Sequence, residues 1–508
     1  MTRRGRKIRY AYVLFNRRPK CGTLRELCYS GIPPVGPSST ESEASMTIYK
    51  PCDIRGDAAG ELTPALYQGW GWALGLRLPP MAKFVVGGDV RASTPAFLAA
   101  LVEGLCQAGL DVVELGLLPT PMIYYAKQRL HAEGCAIVTA SHNPAAVNGL
   151  KWMIGDEPPT PEEVAALEQS EGKLTGDGAP RSVTKPRPLD ISFDYVACLQ
   201  ETFVESLTAH RHVVLDPMHG CWAERVRRYL HAIFPQCVFS TLRDAVDDDF
   251  GGRTPDCSQP SELTDLCDAV YRERAALGIA FDGDGDRIAL VDNEGVALSA
   301  EETTWVLLNC LGDELRGDQF VYDLKFSDRM AKAARQFGAK PLRERSGHAF
   351  LRARMRESGA VFGAEVSGHY FYRDLYGGDD GLYSACLLIE HPARSETTLA
   401  QLRRGCPAVY MTPDLRVSMD PAQQPKVLDE VCAAWADFPQ SSVDGVRIDM
   451  PGGWALVRSS VTEAALTFRF EGLDWHALED LVERFCDALP EVGDELWMRY
   501  RAAMGGEG

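Results

Sequence analysis

The sequence predicts an α/β fold of three successive units, followed by a smaller α+β unit. Three observations predict it. From Tyr49 onward, strand-like apolar runs alternate with helical stretches, the mark of α/β organisation. The pattern restarts after Pro188 and again after Ser299. Beyond the Pro-containing stretch 413–425, three strand-like runs (446–449, 454–458 and 465–470) follow one another as neighbouring antiparallel strands before a helix over 475–489.

Length and composition agree. At 508 residues the chain exceeds one core, and roughly 150 residues per domain suggests three or four domains. The composition is that of a soluble globular protein. A net charge of −18 argues against a nucleic-acid partner, which calls for a basic surface. An acidic protein that handles phosphates must concentrate its cations locally. Fifteen cysteines without a Cys-x-x-Cys pair read as reduced thiols of a cytoplasmic chain. No apolar run nears the ~20 residues of a membrane span.

The units are expected at 46–189, 190–298, 299–410 and 411–508. Residues 1–45, which lie outside the described residues, are expected to be a basic, disordered extension, without the apolar core of a secretory signal. Residues 46–49 open an edge strand. Strand 83–86 ends in Gly87-Gly88-Asp89-Val90-Arg91, and a helix with one apolar face follows over 95–108. Strand 111–115, the turn Pro119-Thr120-Pro121 and a helix to about residue 130 lead to strand 135–138. The second unit opens with a helix over 190–207 and has strands at 212–215 and 277–281. The third has a helix to residue 311, a strand at 320–324, a helix over 327–337 and a strand at 360–364.

Chemistry-bearing residues cluster where strands end, as in open α/β sheets generally. Strand 135–138 delivers Thr139-Ala140-Ser141-His142-Asn143-Pro144. The proline keeps Asn143 out of the helical region, so a serine hydroxyl is held on a tight loop beside an imidazole. Taken alone, that loop could be a simple turn. Asp282-Gly283-Asp284-Gly285-Asp286-Arg287 sets three carboxylates on alternate positions. Their repulsion calls for a cation, and hard oxygen donors suit Mg2+. A Ca2+-binding EF-hand needs Gly at its sixth position and Glu at its twelfth; those positions hold Arg287 and Asn293. A solvated acidic turn is the other reading. Glu365-Val366-Ser367-Gly368-His369 offers a carboxylate and a hydroxyl on one side of an extended chain, fit to grip two sugar hydroxyls. Arg458-Ser459-Ser460-Val461-Thr462-Glu463 combines a guanidinium with hydroxyls, a cradle for a phosphate. Lys325 and His348 also close strand ends.

With these four motifs in this order, the chain resembles the α-D-phosphohexomutases, most nearly their bacterial phosphomannomutase/phosphoglucomutase branch. The resemblance runs from about Tyr49 to the last helix. It implies three related mixed-sheet α/β domains and a C-terminal α+β domain around a central cleft. It also implies an enzyme that interconverts hexose 1-phosphate and hexose 6-phosphate, of mannose or glucose, through a phosphoserine. Its partners would be the hexose phosphate and a hexose 1,6-bisphosphate intermediate or activator, with Mg2+ as cofactor, in a monomer or weak dimer. Carried over by position, Ser141 bears the phosphoryl group, and Asp282, Asp284 and Asp286 hold the metal with an oxygen on Ser141. Glu365 and Ser367 hold sugar hydroxyls. Arg458, Ser460 and Thr462 bind the non-reacting phosphate. Arg55, His142, Lys151, Arg287, Lys325, His348 and His369 match further active-site positions, cationic or proton-transferring.

Cys52 stands where the family often has tyrosine. Val461 and Ala464 replace an asparagine and a proline of the phosphate loop. A phosphoglucosamine mutase is the alternative within the family, although that branch often has glutamine where Val366 stands. A non-catalytic sugar-phosphate-binding protein is the alternative outside it.

Overall fold

The computed structural model describes residues 47–169, 183–204, 210–394, 397–460 and 464–505. Its first three sheets repeat one topology. Within each, the first strand is central and the second lies parallel on one side. The third lies parallel on the other side, and the fourth turns back antiparallel beside the third. In the first sheet these strands are Lys83–Gly88, Asp111–Leu117, Gly134–Val138 and Val147–Ile154. The second uses His212–Asp216, Val238–Thr241, Leu277–Phe281 and Ile288–Asp292. The third uses Gln319–Asp323, Lys340–Glu344, Phe362–Ala364 and Tyr370–Tyr372. Ile54–Asp57 and Arg187–Pro188 flank the first sheet, and Gly378–Asp379 extends the third.

The C-terminal sheet is antiparallel throughout, with Val446–Met450, Gly453–Ser459 and Ala465–Gly472 as successive neighbours and helix Trp475–Ala488 after them. The expected α/β and α+β classes are both present. One apolar cluster runs through the first three sheets and includes Ile137, Phe281 and Phe362. The C-terminal unit keeps a core of its own around Leu466, Phe468 and Phe485.

Some elements differ from expectation. The opening strand is Ile54–Asp57, not 46–49; Tyr49 makes only an isolated bridge to Ile54. The helix expected over 190–207 spans Ser192–Thr202, and the end of the expected range lies outside the described residues. Helix Pro64–Leu76, capped by the Thr63 side chain, escaped the sequence reading because its glycines lower helix propensity. Those glycines serve tertiary packing. A Cβ on Gly71 would lie 2.3 Å from the Leu101 carbonyl oxygen, and one on Gly104 would lie 2.0 Å from that of Gln68. Only glycine lets this helix and Thr94–Gln107 approach so closely.

Candidate active site

The shared topology decides where the motifs meet. The hairpin joining the third and fourth strands carries Ser141 in the first sheet, residues 282–286 in the second and 365–369 in the third. The carboxyl end of the first strand is also equivalent in all three. There Asp89, Asp216 and Asp323, each fully buried, accept the backbone N–H of the residue two positions on: Arg91, Met218 and Lys325. Such an Asx turn redirects the chain without leaving a donor unpaired.

Ser141 is fully buried and has φ 53°, a left-handed conformation. Buried Arg91 holds that shape by donating to three carbonyl oxygens of the loop, those of Ser141 (2.8 Å), Asn143 (2.6 Å) and Pro144 (2.5 Å). Asp89 in turn accepts from Arg91 Nε at 2.9 Å and from Thr139 Oγ1 at 2.8 Å. Arg55 Nη1 donates to the Ala140 carbonyl at 3.0 Å, with its Nε on Asp53. Ser141 Oγ donates not to His142 but to Asp282 Oδ2, at 2.7 Å. Burial, with Arg287 and Arg55 nearby, holds His142 neutral, well below the usual imidazole range.

The aspartate loop is clamped from several sides. Trp222 Nε1 donates to the Gly285 carbonyl at 2.9 Å, and Thr120 Oγ1 donates to Asp284 Oδ2 at 2.7 Å. Lys151 reaches both Asp284 Oδ2 (2.9 Å) and Asp286 Oδ2 (2.8 Å). This contact draws Asp286 well below the ordinary carboxyl range, while burial beside two like charges pushes Asp282 well above it. The three aspartates bring carboxylate oxygens within 4.8 Å of one another, and Asp284 Oδ1 is buried without a hydrogen-bond donor. A converging, all-oxygen set with a buried oxygen left without a donor fits a hard divalent cation.

The third hairpin is a tight turn, not the extended segment expected, closed by Gly368 N donating to the Glu365 carbonyl at 3.1 Å. Glu365 and Ser367 therefore converge on one atom: His369 Nδ1 lies 3.0 Å from Glu365 Oε2 and 2.8 Å from Ser367 Oγ. His369 Nε2 faces Asp286 Oδ1 at 3.3 Å and Asp379 Oδ2 at 3.7 Å. Asp286 and Glu365 raise its pKa to about 9 against burial and the repulsion of Arg287. Arg287 Nε donates to the same Nε2 at 3.2 Å, a bond that only a neutral imidazole accepts and that therefore opposes the pull of the carboxylates. His348, stacked on His369 at 5.8 Å, is pushed down to about 3 by burial and by Lys151. A backbone bridge between Arg287 and His369 stitches the second hairpin to the third.

Ser141, His142, Lys151, Asp282, Asp284, Asp286, Arg287, His348, Glu365, Ser367 and His369 thus form one cluster, with Arg55 behind the serine loop. Lys325 lies at the junction with the C-terminal unit, 3.4 Å from Asp414 Oδ2. Arg458 pairs with Asp444 Oδ2 at 3.3 Å on the C-terminal sheet, whose next hairpin holds Ser460. Thr462, with Val461 and Glu463, lies outside the described residues. Cys52 is half-buried, and its thiol is pushed up to about 12 by burial and Asp53, so it brings no charge to the site.

Sequence reasoning missed Arg91, Thr120, Trp222 and Asp379. Arg91 and Thr120 stood in stretches singled out as strand end and turn. Trp222 and Asp379 act on loops distant from them in the chain, Trp222 on Gly285 and Asp379 on His369, and no local spacing announces these contacts.

Residues 47–171, 194–295 and 300–410 match, in turn, the alpha/beta/alpha domains I, II and III of phosphoglucomutase/phosphomannomutase. A phosphomannomutase/phosphoglucomutase of Pseudomonas syringae pv. tomato is 30% identical over 467 residues, covering 91% of this chain and 98% of its own. A phosphoglucomutase of Neisseria gonorrhoeae is 29% identical over 468 residues, covering 89% and 99%. Among solved structures, a phosphoglucomutase/phosphomannomutase family protein of Burkholderia thailandensis superposes with a TM-score of 0.79 at 30% identity, covering 88% of this chain and 97% of its own.

Proposed function

The chain belongs to the phosphoglucomutase/phosphomannomutase family of α-D-phosphohexomutases, and on that premise we propose that it interconverts the 1- and 6-phosphates of glucose or mannose through phospho-Ser141. The observation that carries this reading is the buried hydrogen bond from Ser141 Oγ to Asp282 Oδ2, which sets the serine against the three-aspartate loop. Phospho-Ser141 would give its phosphoryl group to a sugar hydroxyl, forming a new O–P bond as the Ser141 Oγ–P bond breaks. The resulting hexose 1,6-bisphosphate would turn end for end and return its other phosphoryl group to Ser141.

Such transfer needs positioning and charge stabilisation more than covalent help. Lys151 and Arg287 supply fixed positive charge beside the serine loop. Mg2+ held by Asp282, Asp284 and Asp286 with an oxygen on Ser141 would offset charge on the transferring group. His348 and His369, stacked at 5.8 Å, are the two candidates to accept the sugar hydroxyl proton. Glu365 and Ser367, which contact His369 Nδ1, would also bind sugar hydroxyls. Domain boundaries at 46–189, 190–298, 299–410 and 411–508 would give the phosphoserine, the metal, the sugar and the non-reacting phosphate each its own unit.

Arg458 and Ser460 would hold the phosphate that is not reacting, and the C-terminal unit would close over the site to exclude water. Its separate core supports this role. Its junction with the third unit combines an apolar cluster of Leu324, Trp454 and Leu456 with Arg447 donating to the Leu324 carbonyl (3.1 Å) and to Asp328 (2.8 Å).

The test is turnover of glucose 1-phosphate, mannose 1-phosphate and glucosamine 1-phosphate side by side, with intact-mass spectrometry before and after phosphatase. Conversion of the first two to 6-phosphates, with one phosphoryl group on Ser141, is the expected result. Preferred turnover of glucosamine 1-phosphate would move the assignment to the phosphoglucosamine branch. Excess chelator should abolish turnover and Mg2+ should restore it; full activity in chelator would remove the metal from the reading.

A further inference from the structure

With Ser141 read as the phosphoryl carrier, as proposed above, we propose that Phe250 of the second α/β unit is a positioning residue that sets the Ser141 loop of the first unit against the aspartate loop. Strained backbone points to it. Among the described residues ten that are not glycine have positive φ, and Met218, His219, Glu224, Arg243 and Phe250 are five of them. Half of the left-handed residues thus fall in one short stretch. Such backbone is costly for any residue with a Cβ and persists only where the surrounding structure enforces it. Phe250 has φ 52° and opens a turn in which Gly251 and Gly252 are left-handed too, at 67° and 72°. An aromatic residue has no preference for that conformation, so the packing of its ring must hold it there.

The ring is 1% exposed and lies against Arg91, whose guanidinium carbon is 4.9 Å from the ring centroid. Each nitrogen of that guanidinium already donates in its plane: Nε to Asp89, Nη1 to the Pro144 carbonyl, and Nη2 to those of Ser141 and Asn143. A planar cation used in this way leaves only its faces open. All four acceptors belong to the first unit, whereas the ring comes from the second. An aromatic face attracts the cation and keeps water from it. Shelter from water strengthens the hydrogen bonds that shape the serine loop.

The same stretch grips the aspartate loop. Val90, Cys221 and Phe250 form one apolar cluster, with Ala145 packed against it. Cys221 N donates to the Gly283 carbonyl at 2.9 Å, and Gly283 N donates to the Pro255 carbonyl at 3.1 Å. A Cβ on Gly220 would lie 2.6 Å from the Gly283 carbonyl oxygen, so the two backbones touch. Phe250 therefore stands between the two halves of the Ser141–Asp282 contact. It meets Arg91 on the serine side and shares its cluster with Cys221 on the aspartate side.

The turn is braced against its own sheet. Phe250 N donates to the Asp247 carbonyl at 3.1 Å, Asp247 N to that of His219 at 3.2 Å, and His219 N to that of Arg243 at 3.0 Å. Arg243 Nε donates in turn to Asp216 Oδ1 at 2.9 Å, at the end of strand His212–Asp216. The strained backbone is thus tied to a strand end and cannot relax away from Arg91. Phosphoryl transfer tolerates little displacement of the reacting group, since an error of about 1 Å costs on the order of 100-fold in rate. Glu365, Ser367 and Arg458, the groups proposed to hold the substrate, lie on the third and C-terminal units. Loss of the Phe250 ring should therefore act on kcat and leave substrate binding alone.

The experiment compares Phe250→Leu and Phe250→Tyr with the wild-type full chain. Leucine keeps an apolar side chain without a ring, and tyrosine keeps the ring. In Phe250→Leu, kcat for glucose 1-phosphate should fall about tenfold or more while KM stays within about twofold of wild type. Phe250→Tyr should keep the wild-type kcat. Hydrogen exchange read by mass spectrometry should quicken about tenfold over residues 139–145 of Phe250→Leu and stay unchanged in strand His212–Asp216. Wild-type kcat in Phe250→Leu overturns the proposal, as does an equal loss in Phe250→Tyr. Exchange that quickens throughout the second sheet would mark a residue that only supports its own unit, and overturns it too. The exchange measurement needs no turnover, so the two readings fail separately. A wild-type chain inactive on hexose phosphates ends the phosphoserine reading, whereas unchanged exchange over 139–145 ends the role of Phe250.

Discussion

Ser141→Ala is expected to fold and to lose turnover almost completely. The structural cost is small. Serine already bears the left-handed strain at φ 53°, about 1–2 kcal/mol for a residue with a Cβ, and alanine adds none; Asp282 loses one donor while keeping the backbone N–H groups of Gly285 (3.0 Å) and Arg287 (3.2 Å). The chemical cost is of another order, because the atom that carries the phosphoryl group is gone. Removal of a covalent nucleophile costs roughly 10⁶-fold in other enzymes. Ser141→Gly is the control: it should be equally inactive but at least as stable, since glycine takes the left-handed conformation freely. A coupled assay for glucose 6-phosphate with a urea melt separates the two costs. Appreciable turnover by a folded Ser141→Ala protein would end the phosphoserine proposal.

The second large effect is on stability. Lys151→Met removes the ammonium shared by Asp284 and Asp286, whose side chains are 0% and 1% exposed beside a lysine that is 4% exposed. Breaking a buried pair by deleting one partner typically costs about 3–5 kcal/mol, because it strands charge in a low dielectric. The pH dependence has a definite sign. In the native protein Lys151 holds Asp286 below its unfolded value. The pairing is therefore complete above about pH 4 and is lost as pH falls through the lowered native value. In the variant, burial among like charges favours the protonated carboxyls, so acid relieves the stranded charge. The stability gap between the two proteins should accordingly be widest near neutrality and narrow below about pH 4. Equal urea midpoints at pH 7 would show that Lys151 does not stabilise the aspartate loop.

Much of the site was legible in the sequence because each motif sits in one short loop. Residues 282–286 announce a cation by repulsion alone, and Asn143-Pro144 announces a tight turn by sterics. What was not legible depends on side chains that are distant in the chain meeting where strand ends converge. Nothing near Arg91 in the chain says that it grips the carbonyls of Ser141, Asn143 and Pro144, fifty residues and more away. The roles of the two histidines were open for the same reason. His348 and His369 have the same intrinsic pKa and burial lowers both, so only the carboxylates set against His369 drive them apart.

The sequence by itself determined the α/β and α+β classes, the strand ends that bear the chemistry, and the family. Hydrophobic periodicity, turn residues and contiguous motifs are local and survive in one dimension. The tertiary structure alone decided that the three motif hairpins are topologically equivalent and that Ser141 pairs with Asp282 rather than His142. It also decided that Glu365 and Ser367 converge on one imidazole nitrogen instead of projecting side by side. Those outcomes depend on which sheet edges pack together and on the fields that buried charges exert over a few ångströms, and neither is a property of sequence spacing.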